Sequence, residues 1–165
     1  MKRLRKTIRI TVFLLLGAIV VISMASCSWT ERPDWADTLL RSPTHQVAVE
    51  RMAQMSAGKP VLTEALDIEG YKRRYSQASP DIAVNDAVHA VFSELGIASL
   101  GGASSPSGIV LRGQKDEFVI VLIRNEPGTW MGYCTSSNGG PLAHEVMTRL
   151  IALGSDQSVS TRVER

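Results

Sequence analysis

Cys134 and His144 are the one pair of side chains whose types and spacing suit nucleophilic chemistry, a thiol and an imidazole ten residues apart. A thiol nucleophile needs a nearby base and a lowered pKa, which a helix N-terminus often helps to supply. Cys134 instead ends an apolar run, and His144 lies near the polar edge of the following amphipathic stretch. The residues therefore favour a buried, inert cysteine over a thiol enzyme or hydrolase that uses Cys134 with His144. An intermolecular disulfide, or a Cys27–Cys134 bridge, stays open beside that reading. His89 has Asn85 and Ser93 at four-residue spacing and Asp86 three back, half of a metal or acid–base site. No second histidine shares its helix, and His45, His89 and His144 scattered singly do not form a zinc pattern. A solvated helix face accounts for them, and no catalytic, cofactor-binding or metal-binding residue is assigned.

Two further stretches have the composition of binding sites. Lys72-Arg73-Arg74, between Tyr71 and Tyr75, is the basic cluster of the chain. Anionic lipid headgroups suit it better than nucleic acid, and an exposed helix face suits it better than either. "SSNGGP", Ser136–Pro141, places backbone amides before a helix, where anions bind, but it lacks a phosphate-loop pattern. A turn that feeds a proline-initiated helix explains it.

The elements that would position these residues fall in two blocks. Ser42-Pro43 opens a helix through Val47, Ala48, Met52 and Met55, which Gly58 and Pro60 stop. Thr63–Gln77 reads as a weaker helix, and Ser79-Pro80 to Gly96 as the strongest, with Val84, Ala87, Val88, Val91, Phe92 and Leu95 on one face. "ASLGGASSPSG" is flexible-loop material. After it the period changes: "GIVLRG", "EFVIVLIR" and "GTWMGYC" are three apolar runs separated by turn residues, and Pro127-Gly128 suits a type II turn. Phe118–Ile123 is apolar without alternation, so both of its faces should be buried. Pro141–Leu153 forms a last helix ended by Gly154. The expected fold is α+β: three N-terminal helices, a three-stranded antiparallel meander and a C-terminal helix, with the domain over residues 42–154 and a polar tail over 155–165.

The charge balance turns on the first residues. Eighteen basic and 16 acidic side chains give a formal +2. Lys2, Arg3, Arg5, Lys6 and Arg9 precede the apolar run Ile10–Ala25, the pattern of an export signal. Without those five, 13 basic residues face 16 acidic ones, a charge of −3 from Cys27 onward. A mildly acidic exported part argues against a nucleic-acid partner. The 16-residue run spans about 24 Å as a helix, short of a ~30 Å hydrocarbon core. Extension to Trp29 would give a single transmembrane anchor, and cleavage after Ala25-Ser26 would give a secreted protein.

Met24-Ala25-Ser26-Cys27 resembles the lipobox of bacterial lipoproteins, with Met24 in the apolar position and two small residues before the cysteine. The resemblance covers the first 27 residues only. It implies a signal peptide over residues 1–26, a diacylglycerol on the Cys27 sulfur, cleavage before Cys27 and acylation of the new N-terminus. Several acyl chains, at ~0.8 kcal/mol per buried CH₂, anchor a protein stably. Residues 27–41 then read as anchor and tether. Ser28, where an aspartate would favour inner-membrane retention, permits the outer membrane in a Gram-negative cell. The expected protein is an envelope lipoprotein with its domain outside the cytoplasm. It is expected to act as a non-catalytic binding, accessory or inhibitory module for an envelope protein partner. Intact-mass measurement of membrane-extracted protein should find an N-terminus at Cys27 with added acyl mass. A Cys27→Ser variant should retain the leader, and an unprocessed wild-type Met1 form would defeat the expectation.

Overall fold

A computed structural model describes residues 34–155; the leader, Cys27 and the tail beyond Ser155 lie outside the described residues. The element order is α1 (Asp34–Leu40), α2 (His45–Met55), β1 (Leu62–Ala65), α3 (Ile68–Tyr75), α4 (Pro80–Leu95), β2 (Ala98–Ser105), β3 (Gly108–Gln114), β4 (Phe118–Glu126), β5 (Thr129–Ser136) and α5 (Pro141–Ser155). The fold is α+β, as expected, but the meander is the middle of a larger sheet. Five strands, all antiparallel, lie in the order β1-β5-β4-β3-β2.

Strand β4 organises the layers. Val119, Val121 and Ile123 point to one face with Ile109, Leu111 and Cys134, under α3, α4 and α5. Ile120 and Leu122 point to the other face with Val110 and Tyr133, under α1 and α2. All five of these β4 residues are 0% exposed, so the two-sided burial read from the sequence holds. Helices therefore cover both faces of an antiparallel sheet.

The local signals are mostly side-chain caps. Thr44 accepts from the Val47 amide at 3.3 Å and caps α2, two residues after the expected Ser42 cap. Asp67 accepts from the Gly70 amide at 2.9 Å to start α3. Pro80 occupies the first turn of α4, and Gly96, at φ +67°, ends that helix in the left-handed conformation. Gly128 has φ +86°, as the second central position of a type II turn requires.

Four expectations are corrected. Residues 98–105 are not a flexible loop but the edge strand β2, paired with β3 along its length through a bulge between Ser99 and Gly101. Its Ser, Gly and Ala side chains carry no strand propensity, and backbone pairing supplies the order instead. Only glycine fits at 102, where a Cβ would lie 2.0 Å from the Val110 carbonyl oxygen. The helix expected over Thr63–Gln77 splits: Leu62–Ala65 pairs with Met131–Cys134, and the helix begins at Ile68. The tether expected to reach Arg41 contains α1, whose Ala36, Leu39 and Leu40 are buried against the sheet. Gly154 does not stop α5, which continues to Ser155.

Gly154 is needed inside α5 because α3 crosses there. A Cβ on Gly70 would lie 1.9 Å from the Gly154 carbonyl oxygen, and the Tyr71 hydroxyl donates to the Leu150 carbonyl at 2.7 Å. Two glycines thus set the distance between the helices. Gly70→Ala should cost about 3 kcal/mol through forced separation of α3 from α5, read as a lower urea midpoint with little change in slope.

Candidate functional site

The structure separates the residues that could do chemistry. Cys134 sits on the inner face of β5, 0% exposed, among the apolar residues beneath α5. Burial pushes its thiol well above the usual range, opposite to what a nucleophile needs. His144 is exposed on α5, on the side away from that core. The two are not brought together as a nucleophile and its base. His45 and His89 are likewise exposed, on α2 and α4. Among the described residues, no group of three or more His, Cys, Asp or Glu side chains could hold a metal ion.

The other two stretches are occupied by their own neighbours. Lys72 pairs with Glu69 at 3.0 Å and Arg73 with Asp67 at 3.5 Å, both across the surface of α3. Arg74 is engaged as well, with Tyr75 beside it. The amides of "SSNGGP" are also spent. Asn138 donates to the Glu117 carboxylate at 3.0 Å, Gly139 to the Ser136 carbonyl at 3.1 Å, and Gly140 to the Ser136 hydroxyl at 3.2 Å. The loop folds on itself rather than presenting a row of donors to an anion.

Beside that loop, Lys115, Asp116, Glu117, Pro141, Leu142 and Glu145 line a shallow cleft of about 180 Å³. Small-molecule sites usually enclose ~300–1,000 Å³. The cleft is below that size, and Glu117 already serves the loop.

Sequence reasoning missed a polar network on the α1–α2 face. The Tyr133 hydroxyl donates to Glu126 at 3.3 Å, and the Arg124 Nε lies 3.5 Å from the same carboxylate oxygen. Arg112 stacks over the Phe118 ring at 4.5 Å. Arg112 Nε and Arg124 Nη1 are buried with no hydrogen-bond partner. An unmade bond of this kind costs roughly 1–3 kcal/mol. The parity of β4 carried the signal: Arg124 and Glu126 continue the face of Ile120 and Leu122. Thr135 closes a second small network, donating to the Ser56 hydroxyl at 3.0 Å or to the Pro60 carbonyl at 2.9 Å.

Compared with protein-family models, curated proteins and solved structures, the chain matches none. No helix among the described residues is long and apolar enough to cross a membrane.

Burial, then the Glu126 charge, pushes the Tyr133 hydroxyl up to about 12. Burial also raises Tyr71 and Tyr75 above the ordinary tyrosine value. A group with a raised folded-state pKa stabilises fully below its unfolded pKa, near 10, and loses that contribution as pH rises through the folded value. Stability should thus hold to about pH 10 and fall between about 10 and 12. Absorbance titration should show the tyrosines ionising together with cooperative unfolding. Independent ionisation near pH 10, with the fold intact, would contradict the buried network.

Proposed function

We propose that this chain is a lipid-anchored cell-envelope protein. Its domain serves as a non-catalytic binding, accessory or inhibitory module for an envelope protein partner. Acyl chains on Cys27 hold it to the membrane with the domain outside the cytoplasm, at the outer membrane if the cell is Gram-negative. The observation that carries this reading over the thiol-enzyme alternative is Cys134, enclosed in the core with a raised pKa, while His144 faces solvent. The short apolar run, the small residues before Cys27 and the negative charge of the exported part support the anchor.

Lipid-anchored recognition suits a domain of this kind. The cleft beside the Ser136–Pro141 loop is small, and the candidate anion and cation sites are occupied by internal partners. These observations support recognition through the outer surface. Tethering replaces tight intrinsic affinity, because it raises the local concentration of any partner in the same membrane.

Thiol labelling of the native full-length protein, with a Cys27→Ser variant to isolate Cys134, should be slower by a factor of about 10² or more than in urea. A gently solubilised membrane preparation should yield a stoichiometric partner with the wild-type chain. Rapid labelling at neutral pH, together with repeated recovery without any partner, would overturn the binding reading in favour of the enzyme.

A further inference from the structure

The two edges of the sheet are built differently. Strand β1 is four residues long and carries exposed Glu64 at its centre, features that discourage strand addition. Strand β2 is eight residues long, has no charged residue, and exposes Ala98, Ser99, Leu100 and Ser104. Leu100, 56% exposed, is the most exposed large apolar side chain among the described residues.

The hairpin shows which backbone groups of β2 are open. Ser105 and Gly108 close the two-residue turn Pro106-Ser107, and such a closing pair exchanges hydrogen bonds. The Asn125 amide bonds to the Ser107 carbonyl at 2.9 Å, which sets the same alternation across β3. Ser105, Ala103 and Gly101 therefore address β3, and the N–H and C=O groups of Ser104 and Gly102 point away from the sheet. No other described element pairs with that side.

We propose that β2 is a homodimer interface. Two copies pair antiparallel through β2 about a two-fold axis and join their five-stranded sheets into one of ten strands. Three observations favour a second copy as the occupant. An uncharged edge meets its own image without like-charge repulsion. The layer above the sheet also has the right width. Helix α1 lies over β2, β3 and β4 on one face. With strands ~4.8 Å apart, the α1 axes of two copies would stand about 10–14 Å from each other, close enough for their side chains to meet. The interface then gains helix contacts beyond the strand pair. Finally, among the described residues β2 is the one long uncharged edge, the other being the short, Glu64-bearing β1. A two-fold pairing of β2 with itself uses that edge up, so the assembly closes at two and does not run on as a fibre. The inference is independent of the partner reading above, since it uses a surface that reading does not assign.

The test uses the full chain in detergent and in membranes. Ser104→Cys should be joined to a second copy by a flexible bis-maleimide crosslinker, above the level of the unmodified chain, whereas Glu64→Cys on the opposite edge should not. Ser104→Pro removes an outward N–H and leaves the β2–β3 ladder intact, so it should weaken dimerisation at least tenfold in sedimentation equilibrium. Leu100→Lys, which places a charge on the edge, provides a second disrupting variant if the proline disturbs folding. Circular dichroism and the urea midpoint check that the variants fold. A wild-type chain that stays monomeric, crosslinks between copies formed equally well through Glu64→Cys, crosslinks from Ser104→Cys to a different protein, or a dimer unmoved by folded variants would each overturn the proposal.

Discussion

Strand β4 must be dry on both sides, and the rest of the structure answers to that. Val119, Ile120, Val121, Leu122 and Ile123 are each fully buried, and each such side chain is worth ~1.5–3 kcal/mol when removed from water. An antiparallel sheet commonly leaves one face wet, but this one has no polar face to turn outward along its central strand. A helical layer on α3, α4 and α5 alone would leave Ile120, Leu122 and Val110 in solvent. The seven residues of α1 and the eleven of α2 supply the missing cover. Helices this short are marginal in isolation, so their order derives from the sheet they protect.

The polar groups follow from the same demand. A polar side chain that reaches into either layer leaves bulk water and is favoured where the protein supplies a partner. Tyr71 therefore ends on the Leu150 carbonyl, and Tyr133 ends on Glu126, which in turn holds Arg124. Thr135 lies on the face of Tyr133 and meets Ser56 where α2 ends. Cys134 takes the opposite face, where nothing polar is offered, and its thiol stays neutral. One residue of register separates a hydrogen-bonded network from a buried, neutral thiol.

That alternation also explains what could be read from the sequence. The uninterrupted apolar run of β4 made it legible as a central strand, and the Ser-Pro start and Gly stop made α4 legible as a helix. Elements stabilised by tertiary pairing were not legible. Thr63 and Glu64 continue a helical pattern locally, yet their backbone is claimed by Tyr133 and Gly132 across the ladder. Trp35, Ala36, Leu39 and Leu40 fill too few turns to show a period, and their apolar face is defined by β2 and β3. Of the chemistry-bearing residues, the burial of Cys134 was legible from the apolar run that it closes. The Arg124–Glu126–Tyr133 network was only half legible: β4 parity puts Arg124 and Glu126 on one face, but Tyr133 joins them from β5 through the register of the hairpin.

The composition that hides β2 as a strand also makes it useful to the fold. Gly102 and Ala103 are small because β3 and α1 come close; a Cβ at 102 would strike the Val110 carbonyl, and Ala103 is itself part of the core under α1. A larger residue at 102 would push β2 away from β3, and one at 103 would press on α1, the cover of Ile120 and Leu122. Small residues, in turn, cannot shield a backbone. The edge that allows the thin helical layer to seat is thus the edge with the least side-chain cover over its own N–H and C=O groups. The order of the α1 layer and the openness of β2 are two results of one steric requirement. A substitution that improves one is expected to act on the other.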